Sequence, residues 1–175
     1  MTSKDSPQKI ADQAQQTYRT GDFVAAAQAF AEAASAYSAS SDPLMAAEMM
    51  NNRSVALLRA GQEQAALEAA QGTDELFASA GDFRRQGIAL ANQASALSAL
   101  KQFKEAISRY KLSAEALEKA DEGDMRADVM QLLSTLYLRR FKFYDAIITL
   151  QSGLAGAKNL TARQRFMKKI LFIRL

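Results

Sequence analysis

Asn52 and Asn92 lie forty residues apart, as do Arg19 and Arg59, and each belongs to a pair seven residues apart: Asp12 with Arg19, Asn52 with Arg59, Asn92 with Ala99 and Leu132 with Arg139. Seven residues are close to two helical turns, so the members of a pair share one helix face. Asparagine offers a peptide backbone a donor and an acceptor, and the arginine fork suits a carboxylate. That chemistry holds a partner; it does not convert one. The chain contains no Cys and no His, which removes thiolate nucleophiles, the usual zinc ligands and the commonest proton shuttle. Only carboxylate or lysine chemistry would remain, and no facing pair of carboxylates repeats at a useful separation. The expectation is a protein that is not an enzyme and carries no cofactor and no metal.

Two local clusters invite other readings and lose them on spacing. Asp121, Glu122, Asp124 and Asp128 gather acids near a turn, but they lack the alternating oxygen ligands and later Glu of a calcium loop and fit a capped helix start instead. Gly153-Leu154-Ala155-Gly156-Ala157 carries glycines with no following Lys-Ser/Thr pair and no preceding strand, so it is no phosphate loop. Met45, Met49 and Met50 read as filling between helices.

The elements that must position these residues are legible in composition. Pro7 and Pro43 are the only two prolines in 175 residues, 49% of the chain is hydrophobic, and alanine falls in almost every window. Such a chain is all-α with a sizeable core and essentially no strand. Thr2-Ser3-Lys4-Asp5-Ser6 follows Met1 with no apolar leader, and no stretch approaches the ~20 apolar residues of a membrane span. A cytoplasmic protein is the expectation. The formal charge of +3 is uneven: residues 1–157 hold 16 basic against 19 acidic residues, while Lys158, Arg163, Arg165, Lys168, Lys169 and Arg174 follow with no acid after Asp145. A body without net positive charge argues against nucleic-acid binding.

The chain repeats every forty residues. Gly21-Asp22-Phe23-Val24-Ala25-Ala26, Gly61 to Ala66, Lys101 to Ala106 and Phe141 to Ala146 share one frame, as do Ala14, Ser54, Ala94 and Ser134, and Phe30, Ala70, Tyr110 and Leu150. Within a unit, helical spacing runs to the Gly-Asp turn and resumes after it, which is a helical hairpin. Gly21 can end the first helix at positive φ and Asp22 can cap the next; Asp42-Pro43, Gly81-Asp82 and Glu122-Gly123-Asp124 punctuate the units. A period in this range means stacked units that bury their apolar faces only against each other.

The small residue late in the first helix, the Gly-Asp-aromatic turn, the early alanine of the second helix and the aromatic four residues on resemble the tetratricopeptide repeat (TPR) family. The period is forty instead of 34, as in the variants found in kinesin light chains and G-protein-regulatory scaffolds, and Ile10, Met50, Leu90 and Met130 stand where the family has a tryptophan. The resemblance implies a right-handed α-solenoid of four hairpins, about 8–41, 42–81, 82–121 and 122–158, after a flexible tail at 1–7 and before a basic and apolar capping helix at 159–175, nine helices in all. It also implies a concave wall made of the first helices, which places Asn52, Asn92, Arg19, Arg59 and Arg139 on the partner-binding face. The function implied is a scaffold or adaptor that holds an extended or helical segment of another protein, with the arginines favouring acidic groups. The competing reading has the asparagines tying helix to helix and the arginines as solvated helix ends. Chaperone-tail binding of the carboxylate-clamp kind is not expected, because its frames read Ala11, Gln15, Asn52, Ile88 and Asn92, and only Asn52 matches.

Thr161 can cap the last helix, on which Phe166, Ile170 and Ile173 form a seam. Phe172 and Leu175 point elsewhere, and three readings stay open for them: a homodimer contact, an acidic partner or lipid surface, or a longer chain. The homodimer leads, with self-assembly through this helix as the alternative function. Membrane binding ranks lowest because the basic residues do not form one polar face.

Overall fold

The computed structural model describes residues 6–171, apart from the side chains of Arg163 and Leu171. Phe172 and Leu175, the expected oligomer contact, lie outside the described residues. Ten α-helices follow one another: α1 (Pro7–Thr20), α2 (Phe23–Ala39), α3 (Pro43–Arg59), α4 (Glu63–Ala70), α5 (Thr73–Ser79), α6 (Phe83–Ala99), α7 (Phe103–Lys119), α8 (Gly123–Arg139), α9 (Phe143–Gly156) and α10 (Ala162–Leu171). The path is that of four hairpins and a last helix, and no strand occurs among the described residues. Each hairpin packs on the next, with α2 against α3 and α7 against α8.

The stacking rests on a turn that recurs every twenty residues. Gly21, Ser41, Gly61, Gly81, Lys101, Asp121 and Phe141 all have positive φ. After Gly61 the N–H of Gln62 donates back to the Leu57 carbonyl at 2.9 Å, and the same bond joins Asp42 to Tyr37, Asp82 to Phe77, Gln102 to Leu97, Glu122 to Leu117 and Lys142 to Tyr137. This closure satisfies carbonyls that a helix end leaves without partners. The six accepting residues are all large, apolar in body and buried, so each turn is anchored by its own core residue. Asp22, Asp42 and Asp82 then cap α2, α3 and α6 by accepting from the N–H groups of Ala25, Met45 and Arg85.

Small residues set how closely the helices approach. Ala26, Ala66 and Ala106 are fully buried and Ala146 nearly so. Ser134 Oγ donates to the Ala146 carbonyl at 2.8 Å and Ser113 Oγ to the Gly87 carbonyl at 2.7 Å, so these two buried hydroxyls find their acceptors in the backbone of the facing helix.

One expected helix is broken. The second helix of the second hairpin splits into α4 and α5 at Gln71-Gly72, where Gly72 takes φ 76°. The break frees the Ala70 carbonyl, and two side chains take it up: Thr73 Oγ1 donates at 2.7 Å and Gln93 Nε2 at 2.9 Å. Gln93 Nε2 also donates to Asp74 Oδ1 at 2.6 Å, while Arg109 Nη1 stands 3.5 Å from Asp74 Oδ2. Asp74 and Gln93 are both buried, whereas Ala34, Ala114 and Leu154 occupy the frame of Asp74 in the other hairpins. A polar knot thus replaces one layer of apolar packing. Since a buried group left without its partner costs about 1–3 kcal/mol, Gln93→Ala should lower the stability by about 2 kcal/mol in urea unfolding, and Gln93→Glu should not restore it because it sets a second carboxylate against Asp74.

Candidate protein-binding surface

The first helices α1, α3, α6 and α8 carry the residues selected from sequence, and the structure assigns them unequal roles. Asn92 Nδ2 donates to Asn51 Oδ1 at 3.3 Å, and Asn51, itself buried, donates to the Ala47 carbonyl at 3.2 Å. Asn92 therefore ties α6 to α3. Arg59 is also committed: its guanidinium lies 4.6 Å from the centre of the Phe23 ring, which packs 5.3 Å from Tyr18. Arg19 and Arg139 are exposed in the last turns of α1 and α8, where the helix dipole favours a cation. Asp12 accepts from Gln8 Nε2 at 2.8 Å. Ala99 and Leu132 are exposed.

Asn52 differs from all of these. It is half-buried and stands at the junction of two clefts. One, ≈ 130 Å³, is lined by Gln15, Tyr18, Phe30, Asn52 and Val55. The other, ≈ 90 Å³, is lined by Glu48, Asn51, Asn52, Phe77, Arg85 and Ile88. The amide thus sits between an aromatic and aliphatic recess on the α1 side and a charged one on the α6 side. Apolar recesses beside a few directed polar groups are the general pattern of ligand-binding surfaces.

The charged recess is built by an ion-pair relay that sequence reasoning missed. Arg85 Nε donates to Asp82 Oδ2 at 2.6 Å and Arg85 Nη1 to Glu48 Oε2 at 3.1 Å, and the guanidinium lies 5.1 Å from the Phe77 ring centre. The signal in sequence was faint: Asp82 was readable as a cap, but nothing marks Glu48, 37 residues before Arg85, as its partner. Burial alone would raise the Asp82 pKa, but the Arg85 N–H and guanidinium outweigh it and hold the carboxyl below its ordinary value.

A third depression lies among α2, α3 and the α4–α5 break. It measures ≈ 740 Å³ and is lined by Met50, Leu76, Pro43 and several alanines, with Arg53 at its wall. Met49 is buried in the core and Met45 and Met50 pack partly against it, so the methionines do fill space between helices. Among the described residues no cluster of three or more Asp or Glu could hold a metal ion, and no helix is long and apolar enough to cross a membrane.

No family model matches the chain, and no curated protein matches it. Solved structures do. BtubC (BKLC) from P. vanneervenii superimposes with a TM-score of 0.76 at 19% identity, covering 94% of this chain and 71% of that one. The nearly identical TPR-like repeats of a candidate kinesin light chain from Podosopora anserina superimpose with a TM-score of 0.74 at 15% identity, covering 97% and 88%.

A carboxyl with a depressed folded-state pKa stabilises the fold above its unfolded pKa of ~3.9, and loses that contribution as pH falls through the lower folded value. Asp82→Asn keeps a good capping side chain but cannot titrate. Between pH 6 and pH 3 the variant should therefore lose less unfolding free energy than the parent chain, as measured by urea titration at each pH. The fold of this chain is the TPR-like α-solenoid.

Proposed function

We propose that the chain is a non-enzymatic protein-interaction module, a scaffold or adaptor that holds an extended or helical segment of another protein on its concave wall. The observation that carries this reading is Asn52: a half-buried amide on α3, flanked by an aromatic recess and a charged one. Its donor and acceptor suit a partner's backbone, Tyr18 and Val55 suit an apolar side chain, and Arg85 with Glu48 sets polarity on the other side. Arg19 and Arg139 extend the wall with exposed cations that favour acidic side chains. Asn92 and Arg59 support this surface indirectly, the first by fixing α6 on α3 and the second by stacking on Phe23.

The alternative is self-assembly through the C-terminal helix. Phe166 and Ile170 of α10 are 65% and 52% exposed, which favours some contact there, but Arg165 and Lys169 beside them set like charges face to face in a symmetric pair. The concave wall is therefore the primary assignment.

Peptides selected from a displayed random library against the intact chain should bind the parent and lose about tenfold or more in affinity to Asn52→Ala, with an unchanged melting temperature. Asn92→Ala should instead lower the melting temperature, because it cuts a helix-to-helix bond. Selected peptides that ignore Asn52→Ala would place the binding surface elsewhere.

A further inference from the structure

One cation in the stack lacks the partner that its frame supplies elsewhere. Arg53 on α3 stands forty residues before Gln93 on α6 and eighty before Leu133 on α8. The frame that sets Asp74 opposite Gln93 holds Ala34 for Arg53 and Ala114 for Leu133. Gln93 Nε2 donates to Asp74 Oδ1 at 2.6 Å, and Leu133 and Ala114 are buried in one apolar cluster. Arg53 meets an alanine. Its Nε is buried with no acceptor, and no hydrogen bond or ion pair reaches its side chain among the described residues. A guanidinium cannot shed its charge, so burial without a counter-group costs free energy that an incoming carboxylate would recover.

The missing partner coincides with missing volume. Ala34 and Arg53 both line the depression of ≈ 740 Å³ among α2, α3 and the α4–α5 break, a size within the roughly 300–1,000 Å³ of ligand sites. Its floor is apolar: Ala46, Ala47 and Ala69 are buried, Met50 is half-buried, and Leu76 on α5 is 45% exposed. Gln71 and Gly72 form part of the wall, and since α2, α7 and α9 run without such a break, this hairpin alone has it. Ser35 and Ser38 stand exposed on the α2 side; Ser35 Oγ donates to the Ala31 carbonyl at 3.0 Å, which leaves its oxygen to accept. Glu68 is the one acid in the lining. It is exposed, accepts from Gln64 Nε2 at 3.0 Å, and forms no ion pair with Arg53.

A single cation beside an apolar floor, with hydroxyls at the rim, is complementary to one carboxylate joined to an apolar side chain and a peptide backbone. We propose that this depression binds the C-terminal residues of another protein. The α-carboxylate pairs with Arg53, in the role that Asp74 plays for Gln93 one hairpin on; the last apolar side chain packs on Met50 and Leu76; and backbone N–H groups donate to Ser35 and Ser38. The volume holds more than one short acid fills, which favours a polypeptide end over a free monocarboxylate. This site is separate from the clefts at Asn52 and does not depend on them.

The test offers the intact chain a synthetic mixture of acetylated hexapeptides of uncharged residues, ending in leucine with a free α-carboxylate, beside the same mixture as C-terminal amides. The best-retained peptide is then titrated singly. The acid should bind about tenfold or more tightly than its amide and lose a similar factor to Arg53→Leu and to Leu76→Ser, while Asn52→Ala and Glu68→Gln do not weaken it. Arg53→Leu installs the residue that this frame carries in the fourth hairpin, so it should not lower the melting temperature. A displayed library joined to its carrier at the C-terminus lacks the α-carboxylate, so dependence on Asn52 and dependence on Arg53 succeed or fail separately. No retention of the acids, equal binding of the amides, indifference to Arg53→Leu, or a lower melting temperature of that variant would each overturn the proposal. So would 4-methylpentanoate binding as tightly as the best peptide, tighter peptide binding after Asp5→Asn, which would assign Arg53 to the chain's own first residues, or self-association of the parent chain that Arg53→Leu abolishes.

Discussion

The close approach of helices at fully buried alanines is the constraint on which the rest of the molecule depends. Ala26, Ala66 and Ala106, with Ala14 and Ala94 on the facing first helices, have no exposed surface. At such positions an added methylene has no room, and the same tightness explains Gly87, where a Cβ would stand 2.6 Å from Leu117 Cγ. Helices held this near can be joined only by short turns that reverse the chain within a few residues. That is why a left-handed residue recurs at every twentieth position, and why, after the first turn, the backbone bond that closes the turn ends on a buried Tyr, Leu or Phe. Packing, turn and capping are one solution repeated, and no single hairpin would be stable without its neighbours.

Much of this was legible in the sequence because the period carries it. Gly21, Gly61 and Gly81 announce turns by residue type, and Asp22, Asp42 and Asp82 announce caps. Ser41, Lys101, Asp121 and Phe141 adopt the same backbone without glycine; their conformation is imposed by position, through the closing bond and its buried anchor, so only the frame predicts it. The break between α4 and α5 escaped because it preserves the frame: Phe77 stays aligned with Tyr37 and Leu117 on either side, and a periodic reading passes over Gly72. The Gln93 knot that stabilises the break joins residues 19 and 23 positions apart, a distance at which helical periodicity carries no information.

The candidate surface was half legible for a geometric reason. Adjacent helix residues point about 100° apart, so Asn51 and Asn52 face different things: the first is buried against α6 and accepts from Asn92, and the second opens on two small clefts. Sequence placed Asn52 and Asn92 in one frame and could not separate a tie from a free amide. The arginines divide in the same way, since Arg59 finds Phe23 within its own neighbourhood while Arg19 and Arg139 remain at exposed helix ends. Charge follows a different logic from the repeat. The acidic body and basic end share one fold, so the electrostatic character changes along the stack while the backbone does not.

The most direct test of the central claim is a map of backbone amide chemical shifts in the isotope-labelled chain as a library-selected peptide is titrated in. The account predicts that the largest changes cluster on α1, α3 and α6, around Gln15, Asn52, Val55 and Ile88. Changes confined to the depression beside Met50 and Leu76, with those four residues unmoved, would contradict it.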